Sequence, residues 1–457
     1  MKKLHIAILA FLIIVAVGLG YIFFILPDQM EKDLISKVPD SVKLDYEKFS
    51  LDYIKQGVTL SNVEIKINDF NGVIKANEIN LRDLGDENIG FSIKLLNVDS
   101  AATGMKYHAK QFDVDSLYLP GLLLISNEFK KDHISGLQAL KNAKPKTVNM
   151  MQINGSRLNA DEVQINILNI KVVELGNGMI KDFSLDSFSS NEEDDAIKIG
   201  ALSIGSLPIP DPLKMQNDPL SLLVGNEIGP IKIMNVEGVG IIDEGITAKI
   251  AQITLTKPKI ALSNKKIPYI ADIKLDVKKV DFPLQVIPPN VRRVLRKYID
   301  GDSLSVNFAL NIQANHSEKT FSPEITLGEE KNADLALGVS LQNIPDEFFD
   351  LVKASNVDRN RILEKIQNSA KLGEATISYN EKGLANKLIK IQAKETGQSV
   401  NKFKEQLIVV IESESLQSNS EKYKMNIAQL IEFIKQPKNL IIKAKPEPPV
   451  KISELVR

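Results

Sequence analysis

From about residue 39 to about residue 285 the chain is dominated by alternating apolar and polar positions, and further alternating runs follow. Val63, Ile65 and Ile67 alternate with Glu64 and Lys66, and Val163, Ile165 and Ile167 with Gln164 and Asn166. Ile273, Leu275 and Val277 alternate with Lys274 and Asp276. The cleanest run is Leu304, Val306, Phe308, Leu310 and Ile312, separated by Ser, Asn, Ala and Asn; Leu335, Leu337, Val339 and Leu341 repeat it. A period of two puts one apolar and one polar face on a strand, which predicts an antiparallel sheet with one covered surface. Asn71-Gly72 and Asn177-Gly178 mark tight turns between runs.

Other stretches change period. Residues 28–39, 133–143 and 211–227 predict short helices. Pro288-Pro289-Asn290 opens an amphipathic helix through Ile299, with apolar residues at 291, 294, 295 and 299. Beyond residue 342 the pattern mixes: two helices within 345–370, a strand over 375–379, helices over 384–397, 399–412 and 426–435, and a last strand over 439–444. The spacing predicts three regions, 1–27, 28–342 and 343–457.

A faint repeat runs through the strand-rich part. Ile74-Lys75 followed by Ile79, Leu81 and Leu84 matches Ile197-Lys198 followed by Leu202, Ile204 and Leu207 at identical spacing. Ala248-Lys249, Ile253 and Leu255 form a weaker third copy. The unit is a strand pair stacked on its neighbours, the logic of an elongated repeat sheet.

The first thirty residues set the expected place. Met1-Lys2-Lys3 precedes Leu4 to Leu26, interrupted only by His5. As a helix this run measures about 35 Å, enough for a hydrocarbon core of about 30 Å. Ala16-Val17-Gly18 resembles a cleavage site by residue size, and a removable signal peptide is the rival. The apolar run continues past it through Phe23 and Phe24, favouring a retained anchor that includes Leu4, Phe11 and Ile14. Lys2 and Lys3 stay cytoplasmic, so the remainder is expected in a bacterial periplasm, attached to the inner membrane by a single pass.

Composition removes several functions. The 457 residues hold no Cys, which excludes thiol catalysis, disulfides and cysteine zinc sites; 57 Lys and Arg balance 58 Asp and Glu, and a net charge of −1 argues against nucleic acid. His108, His133 and His316 show no metal-ligand spacing, and the acidic run Glu192 to Asp195 lacks calcium-loop order. Gly200 to Gly205 is no nucleophile elbow, Ser263-Asn-Lys-Lys266 lacks its partner motifs, and Gly238-Val-Gly240 opens no helix. No enzyme activity and no cofactor are expected.

The anchor followed by units written Gly-x-x-Leu-x-x-Val-x-Ile (Gly57 to Ile65) resembles the AsmA-like superfamily of bacterial inner-membrane-anchored envelope proteins. That resemblance covers about residues 1–340 and implies a grooved β structure that carries or shields phospholipid. The C-terminal part resembles a module of uncharacterised proteobacterial envelope proteins. Its residues are Lys382-Gly383-Leu384, Ala393, Gly397, Ile434-Lys435-Gln436-Pro437 and the tail Lys445 to Pro449.

The expected architecture is therefore mainly β with α: a transmembrane helix, an elongated antiparallel sheet and a mixed C-terminal domain. Leu304, Val306, Phe308, Leu310 and Ile312 are the candidates for a lipid groove. Arg292, Arg293, Arg296 and Lys297 are candidates for headgroup contact, against the alternative of a helix with its charges in water. Phospholipid and other envelope proteins are the expected partners. The competing function is that of an assembly factor docking another envelope protein.

Overall fold

The computed structural model describes residues 42–52, 57–67, 72–85, 88–100, 105–118, 146–157, 163–176, 179–192, 195–208, 228–238, 248–264, 267–299, 301–329, 332–349, 359–415 and 421–455. The proposed anchor, with Leu4, Phe11, Ile14, Phe23 and Phe24, lies outside these residues, as do the helices expected over 28–39, 133–143 and 211–227. Among the described residues no helix is long and apolar enough to cross a membrane. The fold is mostly β, with twenty strands among the described residues and antiparallel pairing throughout their ladders, in two compact units divided between residues 240 and 241.

The first unit holds β1 (Val42–Asp45), β2 (Lys48–Asp52), β3 (Gly57–Ile67), β4 (Gly72–Gly85), β5 (Asn88–Ser100), β6 (Met105–Tyr118), β7 (Thr147–Arg157), β8 (Val163–Gly176), β9 (Met179–Glu192), β10 (Asp195–Ile204), β11 (Leu207–Pro208) and β12 (Ile231–Gly238). β1 and β2 both pair with β3, and each strand from β3 to β10 pairs with the next. β11 adds to β9, and β12 to β10. On one face Leu60, Ile79, Ile93 and Phe112 stand opposite one another across β3–β6 and are buried, Leu60 completely. The other face carries exposed charges, where Glu64 meets Lys66 at 2.6 Å and Lys75 at 3.3 Å, and Glu78 meets Lys94 at 2.7 Å.

A line of irregularity crosses this unit at one level. Inward apolar residues step by three instead of two: Leu60 to Val63, Ile93 to Leu96, Met150 to Ile153, Leu185 to Phe188, Ile233 to Val236. At that step the positions Asn62, Leu95, Gln152, Ser187 and Asn235 have φ of 50°, 50°, 49°, 51° and 52°. They fall on every second strand. Asn77, Lys110, Leu168 and Gly200 complete the line on the strands between, and the cross-strand register is unshifted on both sides of it. Each strand thus has two successive residues between its inward side chains, and because every strand makes the step at the same level the apolar rows stay in line across it. Gly200 is required here by close approach, because a Cβ would lie 2.9 Å from Asn235 Cβ.

The second unit begins with β13 (Ala248–Leu262) and β14 (Pro268–Pro283), then α1 (Pro289–Leu295), β15 (Ser303–Asn315), β16 (Thr320–Glu329) and β17 (Ala333–Gln342). α2 (Asp346–Phe349) and α3 (Arg359–Ser369) precede β18 (Lys371–Glu381), which is followed by α4 (Leu384–Glu395), α5 (Val400–Ser415), α6 (Glu421–Lys435), β19 (Asn439–Ala444), β20 (Val450–Lys451) and α7 (Ile452–Leu455). β13 to β19 form a meander, with β18 taking both β19 and β20 as partners. The same irregularity occurs at Lys279 in β14 (φ 51°), and it ends at β15, where Asn307 Oδ1 accepts the Lys279 N–H at 2.8 Å. Residue 342, the division expected from the sequence, lies at the end of β17, which pairs along its length with β18.

Candidate functional site

Alternation in β14–β19 places one apolar row opposite another. Leu275, Leu310, Ile325, Leu337, Ile377 and Ile442 are successive cross-strand partners, as are Val277, Phe308, Leu327, Leu335, Tyr379 and Leu440. Ile273, Ile312 and Pro323 begin a third row, and Val339 pairs with Ala375 on the same side. The middle of this face is open: Ile325 is 40 % exposed, Leu327 48 %, Leu337 46 % and Ile377 45 %. Apolar side chains of that size in neighbouring positions form a contiguous exposed patch, which soluble surfaces rarely carry without a use.

Two rims bound the patch. Farther along the strands the same face is closed by α2 and α3. There Tyr269, Ile344, Phe349 and Ala370 are buried, with Ala271, Ala314, Phe321 and Leu341 packed against them. Phe349 stands edge-on to Tyr269 at 5.1 Å, and Phe348 to Phe321 at 4.7 Å. At the β18–β19 margin α6 lies on the face, with the Phe433 ring edge-on to Tyr379 at 5.4 Å. Burial, reinforced by a 2.7 Å hydrogen bond to Glu381 Oε2, pushes the Tyr379 hydroxyl to a higher pKa and keeps it protonated. Glu381 also accepts the Ala385 N–H at 3.0 Å, so it caps α4.

The five strand residues singled out from the sequence share this face. Phe308, Leu310 and Ile312 border the open rows, while Leu304 and Val306 lie opposite Phe282 and Val280 toward the start of β15; all five are half-buried. The same pattern in β17 had supplied Leu335, Leu337 and Val339 as strand residues, without marking them as a site. Ile377 falls in the strand expected over 375–379, also without being marked as a site, and Ile325 and Leu327, which alternate across Thr326, are not among the expected strand residues.

The basic helix is shorter than expected. α1 ends at Leu295, where the Tyr298 N–H turns back to Leu295 O at 2.8 Å. Arg292 is committed to the chain itself, Nη2 donating to Ile287 O at 3.0 Å and also to Gln285 O. Lys297 pairs with Glu395 at 2.6 Å. Arg293 and Arg296 are exposed.

The other candidate groups take structural places. His316 is buried between Tyr269 and Phe349, its Nε2 3.6 Å from Asp346 Oδ1. His108 Nδ1 is 2.8 Å from Asn97 Oδ1. Ser263 Oγ accepts the Ile267 N–H at 3.3 Å across a turn. His133 lies outside the described residues. Among the described residues no group of three or more His, Asp or Glu side chains could hold a metal ion.

Residues 327–457 match a family described only as an uncharacterized protein. No curated protein matches the chain. The matched segment starts inside β16 and takes in Leu327, Leu335, Leu337 and Ile377, together with both helical rims. It also contains the C-terminal residues singled out from the sequence, several of which take structural places. Gly383 has φ 143° ahead of α4, Gly397 has φ 69° after it, and Ala393 and Ile434 are buried. Lys382 pairs with Asp334 at 2.7 Å.

Proposed function

We propose that this is a non-enzymatic, inner-membrane-anchored protein of the bacterial envelope that holds the hydrocarbon part of a lipid against the open face of β15–β18. The single observation that carries this is an exposed apolar surface closed off along its length by α2–α3 and at its margin by α6. Each methylene withdrawn from water there contributes about 0.8 kcal/mol. The apolar run Leu4 to Leu26, interrupted only by His5, supports the anchor, and the AsmA-like pattern from Gly57 to Ile65 supports an envelope role.

Size favours lipid over the competing protein-docking role. Four strands about 4.8 Å apart and three rows about 6.8 Å apart cover roughly 400 Å². A standard protein interface needs about 800 Å² on each partner. Organic extraction of the full chain followed by mass spectrometry tests the assignment: co-purifying acyl lipid is the expected result. A lipid-free protein that co-purifies with a fixed polypeptide would favour the docking role. Turnover of ester or glycoside substrates would overturn the non-enzymatic assignment.

A further inference from the structure

The reverse side of the same strands carries a second feature, separate from the hydrocarbon face. A hollow of about 480 Å³ opens over the polar face of β15–β18. Its shape follows from side-chain size. β17 contributes Ala336 and Gly338 to the floor, while Asn311 and Glu324 rise from one side and Thr376 and Glu374 from the other. A register shift beside Gly373 lets Gln342 lean over the end of the floor, where a Cβ on Gly373 would lie 3.0 Å from its Nε2.

The chemistry of the lining differs from that of other polar faces in the molecule. On β3–β5 the outward positions are Lys–Glu pairs, the usual dress of a solvated strand. Within the hollow the strands supply amides, hydroxyls and two carboxylates; among the described residues only Glu374 has a lysine partner, Lys443 on β19 at 4.0 Å, and Lys445 follows that strand. Ser322 and Ser340 bond each other at 3.3 Å, and Thr376 bonds Glu374 at 3.1 Å. Asn311, Gln313 and Gln342 make no side-chain hydrogen bond among the described residues, which leaves three amide groups, each both donor and acceptor, facing the hollow.

We infer that this hollow binds a neutral polyhydroxylated ligand, a short oligosaccharide. Neighbouring hydroxyls of a sugar ring each donate and accept, as amides do, and carboxylates take bidentate bonds from adjacent hydroxyls. A volume of this size lies within the range of small-ligand sites. An acyl chain would leave these polar groups unpaired, so the hollow and the apolar face select different chemistry.

Saturation-transfer NMR on the full chain, in a zwitterionic detergent free of sugar headgroups, tests the assignment with chitotetraose, cellotetraose and maltotetraose. At least one should receive saturation on its ring protons and bind in calorimetry. Gly338→Leu, which fills the floor, should weaken that binding at least tenfold, and Gln342→Ala and Glu324→Ala, which leave the backbone untouched, at least threefold each. Co-purified acyl lipid should be the same in all three variants. No transfer to any of the three sugars overturns the assignment. So does tetralysine binding that Glu324→Ala abolishes, which would make the hollow a cation site. Sugar binding indifferent to Gln342→Ala and Glu324→Ala also overturns it.

Discussion

The apolar faces of β3–β6 and β15–β18 are built by the same rule and end in opposite states. In the first, Leu60, Ile79, Ile93 and Phe112 are withdrawn from water almost entirely; in the second, Ile325, Leu327, Leu337 and Ile377 keep about two-fifths or more of their surface in it. Leu60, Ile79, Ile93 and Phe112 are successive cross-strand partners, as are Ile325, Leu337 and Ile377, with Leu327 in the next row, so pairing does not distinguish the two faces. Exposure separates them: burial of the first face contributes stability, and under the proposed function the open face would contribute the same transfer energy to a bound acyl chain.

The contrast is sharpest under truncation. Phe112→Ala should lower unfolding free energy by about 3–5 kcal/mol, whereas Leu337→Ala should stay within about 0.5 kcal/mol, both read from denaturant midpoints. Equal losses would mean that the second face is covered as well. Ligand retention should show the reverse order. Leu337→Glu should cut co-purified acyl lipid at least tenfold with an unchanged melting temperature, and loss of lipid together with melting would assign Leu337 to a core.

Backbone tests come next. Asn235→Val should cost about 1–2 kcal/mol at its φ of 52°, because a β-branched residue resists the left-handed conformation, while Asn235→Gly should be nearly neutral. Asn307→Ala, which removes the acceptor for the Lys279 N–H where the line of irregularity stops, should cost about 1 kcal/mol.

The smallest effect belongs to the charged side of β4–β5. Hydrogen bonds from Lys94 and then Asn80 hold the Glu78 carboxyl below its usual 4.5. A lowered native value means that the stabilisation is present above pH 4.5 and is lost as pH falls through the native pKa. The melting-temperature difference between wild type and Glu78→Gln should therefore be small at pH 7, vanish on acidification, and shrink in 1 M salt as this exposed pair is screened.

Much of the fold could be read in advance because strand alternation is a local signal. The last strand, 439–444, has the expected bounds, and β15 carries all five residues chosen for the groove. Helix ends were less legible. The helix expected over 426–435 starts at Glu421, and α1 stops early in a turn closed by the Tyr298 N–H on Leu295 O. What covers a face was not legible either, since alternation is the same whether a helix, a sheet or nothing lies above it. The repeat did contain one unread clue. Ile74 to Ile79 and Ile197 to Leu202 are five apart, yet same-face positions in an unbroken strand are an even number apart. That odd step is the three-residue spacing at Asn77 and Gly200.

Because the left-handed residue recurs on alternate strands, the first unit grows in hairpins and not in single strands. Duplicating two neighbouring strands with their turn would carry one left-handed and one ordinary crossing, and would dock without disturbing what came before. One residue inserted in a single strand would throw half of that strand onto the wrong side. Length in such a sheet is therefore quantised, and the step of six strands from the β4 copy to the β10 copy amounts to three whole hairpins.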